Sequence, residues 1–363
     1  MNVGCPKNMV YGPCGGVRAN GGCEVTGLPC PFVREPRLEW ALPGATGSGL
    51  AETDLTGMDL AGTDLARTGP LRGADVERWP LSAPGGRPLV VTDLTVAPYD
   101  RRSVETVVAL LSDSADALLV GEHQNRPDLP PALMAALIKE RGVRPWITLT
   151  CRDRNRIVLE QELQGLAALG GVGVFCATGD GRAPGVRDEV TQVFDIDGTR
   201  LAGMAAHNGL AVGVPEAPDA PPRHLRAGRL LAKQEAGAQV VVLNHVRTVE
   251  RLAAFVAEAR AIGVRLPFVA GVAVYTDERS AAVLLRFPGL GLDAERVAHV
   301  LAAPDPVAAG CAEAVREARA VLAVEGVAGV NLSGLATGRG ERAGAEIKAA
   351  IGAEISAGTG GAA

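Results

Sequence analysis

Gln239-Val240-Val241-Val242-Leu243-Asn244-His245 is four apolar residues with a polar residue before them and an amide and an imidazole after. A run of this kind, apolar at every position rather than at alternate ones, marks a strand buried on both faces, as in a parallel sheet covered by helices. Working outward, similar short runs recur at 88–96, 116–121, 145–150, 172–177, 211–214, 267–271 and 327–332. Longer amphipathic segments separate them, near 102–112, 129–142, 154–169, 197–209, 223–236, 247–263, 306–324 and 340–356. Eight strands alternating with helices over roughly 270 residues is the count and size of a closed (β/α)8 TIM barrel in the α/β class. An open doubly wound sheet is the alternative on the pattern alone.

Composition agrees. The 363 residues include 46 Gly but only 3% aromatics, so the core is built from small and branched aliphatic side chains. A net charge of −5 speaks against a nucleic-acid surface. There is no uninterrupted apolar stretch of membrane-spanning length, and Met1-Asn2-Val3-Gly4-Cys5-Pro6-Lys7 lacks the apolar core of a signal peptide. The reading is a cytoplasmic protein that binds neither membrane nor nucleic acid, with homo-oligomerisation left open.

Two zones precede the barrel zone of 87–363. In residues 38–86, Leu50, Leu55, Leu60 and Leu65 recur every five residues, the spacing of a pentapeptide solenoid. Four repeats are few to bury a core, so this zone reads as a linker. Residues 1–37 hold Cys5, Cys14, Cys23 and Cys30, spaced C-x8-C-x8-C-x6-C among turn-forming glycines. Four thiols in so small a segment predict a metal-held module, because thiolates clustered in a reducing compartment more often ligate than pair. Cys5-Pro6 and Cys30-Pro31 favour a [4Fe–4S] cluster, with zinc as the alternative. Cys151, Cys176 and Cys311 read as packed thiols.

The run Cys5-Pro6-Lys7-Asn8-Met9, then Gly12-Pro13-Cys14-Gly15-Gly16-Val17-Arg18 and Cys23-Glu24-Val25, resembles the small cysteine module associated with methylenetetrahydrofolate reductases. In the barrel zone, Thr148-Leu149-Thr150-Cys151-Arg152-Asp153-Arg154-Asn155, Thr178-Gly179-Asp180 and Lys233-Gln234-Glu235-Ala236-Gly237-Ala238 resemble segments of that same family. The resemblance implies a reductase that converts 5,10-methylenetetrahydrofolate, or a close analogue, to 5-methyltetrahydrofolate by hydride transfer from FAD or FMN. It also implies NAD(P)H, a ferredoxin or a partner flavoprotein as electron donor.

Site residues follow from the strand ends, where such barrels carry their chemistry. Asp93 falls where the family has a glutamate acid, and Asp180 where it has a carboxylate meeting flavin and folate; these are the catalytic candidates. Asn244, in place of a folate-binding glutamine, and Glu216 are the substrate-binding candidates. Thr148, Thr150, Arg152, Arg154, Thr178, Gly179 and Lys233 are the cofactor-binding candidates.

The chain also departs from the family. Asp93 and Asn244 are each one methylene shorter than the family residue, about 1.5 Å of reach. Arg226, Arg229 and Ala232 stand where flavin-contacting Asp, Asn and Arg are usual, and Pro215-Glu216-Ala217-Pro218 lacks the usual histidine. A non-catalytic folate- or flavin-binding or electron-transfer subunit, and a flavin-independent NAD(P)H-dependent reductase, are the alternatives.

Overall fold

A computed structural model describes residues 5–34, 86–123, 125–182, 186–287 and 290–358. The five-residue repeat lies outside the described residues. Eight strands close into one barrel in chain order, every neighbouring pair parallel: β1 Leu89–Leu94, β2 Ala117–Val120, β3 Pro145–Thr150, β4 Gly173–Ala177, β5 Ala211–Glu216, β6 Val240–Leu243, β7 Phe268–Tyr275 and β8 Val327–Ala336. The final β1–β8 pairing, Val91 opposite Asn331, excludes the open sheet.

After α1 (Pro31–Arg34), the barrel helices are α2 Arg101–Leu111, α3 Pro131–Lys139, α4 Arg156–Leu169, α5 Gly198–His207, α6 Arg226–Glu235 and α7 Val249–Ala261. Three helices, α8 Glu278–Leu285, α9 Ala294–Leu301 and α10 Pro306–Leu322, connect β7 to β8, and α11 Glu341–Ala357 ends the described fold. The sequence reading missed α8 and α9. They add a small core of their own over the end of β7, where Leu284, Val297 and Val300 pack on Ala273 and Tyr275. None of the described helices is long and apolar enough to cross a membrane.

The strands sort their side chains by the two-residue period. Val90, Leu118, Val174, Val212, Val241 and Val330 face the helices in one large outer core. Leu89, Val91, Leu119, Trp146, Phe175, Val240, Val242 and Val269 form a second core inside the barrel. Continuing that inner face toward the strand C-termini reaches Asp93, Thr148, Thr150, Asn244 and Asn331. The barrel therefore has an apolar floor and a polar rim, and the rim is where ligands of this architecture bind.

The segment 5–34 folds on a few contacts: antiparallel bridges Val17–Cys23 and Gly22–Pro29, and a core of Met9, Val17, Cys30 and Phe32. It docks on the barrel. Asn8 Nδ2 donates to the Phe194 carbonyl at 2.8 Å, Lys7 Nζ to the Gly179 carbonyl at 2.7 Å, and Arg226 Nη2 to the Cys14 carbonyl at 3.0 Å.

Candidate active site

At the β1–β8 edge, Asp93 Oδ1 accepts from Asn331 Nδ2 at 2.9 Å, and Lys348 of α11 donates to the Asp93 backbone carbonyl at 2.8 Å. Burial pushes the Asp93 carboxyl above its ordinary pKa, opposed by the Lys348 ammonium and by hydrogen bonds from Asn331 and Gly334. Burial also lowers Lys348 to about 8, with the Asp93 charge resisting. The result is a half-buried carboxyl at an inward-facing strand end whose pKa is shifted upward, the direction a general acid requires.

Across the mouth, the turn after β4 carries Thr178, Gly179 and Asp180. Gly179 has φ +88°, and a Cβ there would stand 3.0 Å from Thr150 Cβ and 3.2 Å from Arg152 Cβ, so glycine is required on both counts. Thr178 Oγ1 accepts from the Gly198 N–H at 2.9 Å, fixing this turn to the start of α5. Burial raises the pKa of Asp180, Glu24 of the cysteine module adds to the rise, and Lys7 and Arg152 oppose it. Lys7 is buried, ion-paired with Glu24 and set 5.2 Å over the Phe194 ring, so the module reaches the rim itself.

Next to this turn, Arg152 is buried and fully engaged. Its Nε meets Asp153 at 2.9 Å, Nη2 the His123 carbonyl at 3.1 Å and Nη1 the Asp180 carbonyl at 3.5 Å. Arg154 pairs with Glu122 at 2.5 Å, and Thr150 Oγ1 donates to the same carboxylate at 2.5 Å. Burial raises Glu122, with Arg154 and Thr150 opposing. Thr148 is half-buried on the inner face.

Under β5 lies a closed charge cluster. Glu216 meets Lys233 at 2.8 Å and Arg226 and Arg229 at 3.6 Å each, and the carboxylate side chain is 1% exposed. Burial would raise Glu216, but Lys233, Arg229 and Arg226 outweigh it and hold it at about 2. Burial lowers Lys233 to about 8 and Arg226 to about 10. Arg226 also donates to the carbonyls of Ala220, Pro13, Cys14 and Pro221, which makes it the clasp between module and barrel. Asn244 is half-buried at the rim, its backbone N–H donating to the Glu216 carbonyl at 2.9 Å.

The geometry thus gathers Asp180, Gly179, Arg152 and Thr150 on one side of the mouth, and sets Asp93 apart on the other. Glu216 and Lys233 are spent on one another beneath the rim. The fit to a flavin is poor: the cationic cofactor-binding candidates Arg152, Arg154 and Lys233 all end on carboxylates or carbonyls of the chain itself. The cysteine set does not close either. Cys30 faces Cys5 and Cys23, whereas Cys14 lies among Lys7, Glu24 and Arg229, with its Sγ 3.7 Å from Glu24 Oε1. Among the described residues, no three His, Cys, Asp or Glu side chains stand close enough to hold one ion.

Sequence reasoning did not single out Glu122, Asn331, Lys348, Lys7, Glu24 or Arg226 for the roles their contacts give them. Glu122 and Asn331 were visible as polar strand-end residues. Lys348 gave no local signal, because its partner lies 255 residues away.

Comparison with known proteins bears on the whole chain. No curated protein matches it. An uncharacterised protein from Clostridium thermocellum, described as binding two copies of 5-methyl-5,6,7,8-tetrahydrofolic acid, superposes with a TM-score of 0.54 at 12% identity, covering 75% of this chain and 95% of its own. Tryptophan synthase from M. tuberculosis (TM-score 0.44, 17% identity, 75% of this chain and 93% of that one) shares the general outline only. A family model described as "Methylene-tetrahydrofolate reductase C terminal" matches residues 1–38. The methylenetetrahydrofolate reductase model matches residues 121–336, more than half of the chain, and the protein belongs to that family.

Proposed function

We propose that this chain binds 5,10-methylenetetrahydrofolate, or a close analogue, across the barrel rim and reduces it to 5-methyltetrahydrofolate. The observation that carries this reading is Asp93, a half-buried carboxyl on the inner face of β1, hydrogen-bonded by Asn331, with burial raising its pKa. Opening the five-membered ring of the substrate needs a proton delivered to a folate nitrogen, and a neutral carboxyl in a buried site is suited to that. The cation left after ring opening needs a fixed negative charge, and Asp180 is the carboxylate proposed to supply it. Asn244 is proposed to orient the substrate from the opposite rim. The family likeness of both matched segments and the folate-binding neighbour support this assignment.

The hydride source is the finer question. The family implies FAD or FMN, but the cationic cofactor-binding candidates are engaged within the chain, so no step is routed through a flavin here. The same observation favours a second reading, in which a nicotinamide donates hydride directly. The cysteine module belongs to the first reading as an electron-entry site on a [4Fe–4S] cluster, whereas zinc, which carries no electrons, would make it structural.

One experiment separates these readings: anaerobic purification, a visible spectrum with iron and zinc analysis, and NAD(P)H oxidation assayed with methylenetetrahydrofolate. A yellow protein whose turnover is lost in Asp180→Ala supports flavin chemistry. A colourless protein with the same turnover supports direct transfer. Folate binding without turnover under either donor makes the chain a non-catalytic subunit, and absence of folate binding removes the proposal.

A further inference from the structure

Asn331 stands on β8 opposite Val91 of β1 and Gly271 of β7. Its neighbours Val330 and Leu332 both face the outer core, which turns Asn331 inward, beside Val91 of the apolar floor. It is 5% exposed. Its Nδ2 is spent on Asp93 Oδ1, and its Oδ1 is buried with no hydrogen-bond partner. Leaving a buried amide oxygen unmet is unfavourable, so native cores rarely do so without a reason. Packing supplies no reason here, since an aliphatic side chain would fill the same inward position of an otherwise apolar barrel interior without that cost.

The amide is also the group that decides how Asp93 is presented. Asn331 holds one carboxyl oxygen from β8, and the Lys348 ammonium holds the carbonyl of the same residue from α11. Asp93 is therefore fixed from two elements that meet only in the closed barrel. An acceptor fixed near a proton donor is complementary to a reduced folate, which offers pterin ring N–H groups and, at N10, the nitrogen that takes up the proton when its bond to the bridging methylene breaks.

We propose that Asn331 is a substrate-binding residue of this barrel, its amide oxygen accepting a ring N–H of the pterin while its amide nitrogen orients Asp93 toward the nitrogen to be protonated. This deepens the folate reading above and rests on it.

The test uses the full chain and (6S)-5-methyltetrahydrofolate as probe, with binding followed by calorimetry and folding by circular dichroism and thermal unfolding. Asn331→Ala is expected to weaken binding at least tenfold with the fold retained. Wherever turnover is measured, the alkaline limb of its pH profile, where a general acid gives up its proton, is expected to move upward, because Asp93 loses a hydrogen bond that favours its charged form. Lys348, lowered to about 8, is the charged side chain facing Asp93, and the shift is read as the difference between Asn331→Ala and the wild type, which share it. Should Asn331→Ala fail to fold, Asn331→Ser gives the same reading with a smaller polar side chain. Unchanged affinity in a folded variant overturns the role of Asn331 and leaves the folate reading standing. A wild-type protein that binds no folate overturns both.

Discussion

At the β1–β8 edge of the mouth, the Asp93 carboxyl accepts from the Asn331 amide and the Gly334 backbone, and the Asn331 oxygen is unmet. At the β3–β5 edge, Arg152, Arg154, Glu122, Glu216 and Lys233 all end on other groups of the chain. Both edges sit over the same apolar floor and draw on the same strand register. They differ in what covers them: the cysteine module lies over the ends of β4 and β5, and its Lys7, Glu24 and backbone carbonyls join the networks there. A saturated edge contributes stability and shape. An edge with an unmet acceptor and a carboxyl whose pKa burial raises is the one with capacity left for a ligand.

This contrast can be broken most directly at Glu216. Glu216→Gln leaves Lys233, Arg226 and Arg229 buried without their shared anion, and a loss of about 3–5 kcal/mol is expected in urea unfolding, with little change specific to chemistry. Lowering the pH probes the same cluster. Glu216 ordinarily titrates near 4.5 and is held at about 2 in the fold, so the folded state binds fewer protons between those values. Its contribution is complete above pH 4.5 and is lost as the pH falls toward 2, and Glu216→Gln should flatten that part of the stability curve.

On the sparse edge the order of effects reverses. Asp93→Asn removes the proton donor and should cut turnover by about a hundredfold to ten-thousandfold, while thermal unfolding moves little. A variant that kept full turnover would place the acid elsewhere. Asp93→Glu restores the longer reach of the family residue and should preserve or raise turnover.

The boundary between module and barrel is sharpened by two milder changes. Lys7→Met loses the hydrogen bond to Gly179 and the pair with Glu24, a cost of about 2–3 kcal/mol, read as faster proteolysis of the segment 5–34. Cys14→Ser should leave iron and zinc content unchanged, because this thiol faces Lys7 and Glu24 rather than the other three cysteines. Metal lost from that variant would mean that all four thiols close round an ion. The smallest effect is at Lys348, lowered to about 8 from 10.5. The unfolded chain binds its proton more tightly, so its contribution to stability rises with pH between those values. Lys348→Met should remove part of that rise.

The barrel was legible because parallel strands buried on both faces leave unbroken apolar runs, and 145–150 was read with both ends as observed. Helices α8 and α9 escaped because each is only eight residues long and contributes two or three buried positions, too few to set a period. Their starts were nevertheless marked, by the Asp277–Ser280 capping box and by Asp293. At the candidate site, strand-end acids and amides could be named but their partners could not. Whether Arg152 meets a phosphate or a carbonyl, and whether Lys233 reaches a ligand or Glu216, depends on burial that no local pattern encodes.

The Lys348–Asp93 contact joins residues 255 apart in the chain. During synthesis at about 5–20 residues per second, the strand bearing the carboxyl waits roughly 13–50 s for the helix that steadies it. Asn331 arrives only slightly earlier. Until barrel closure the acid is an ordinary solvated aspartate, with a pKa near the usual carboxylate value and no defined direction. A nascent or truncated chain that already displays the saturated edge would therefore be chemically silent, so the poised acid itself reports that the barrel has closed.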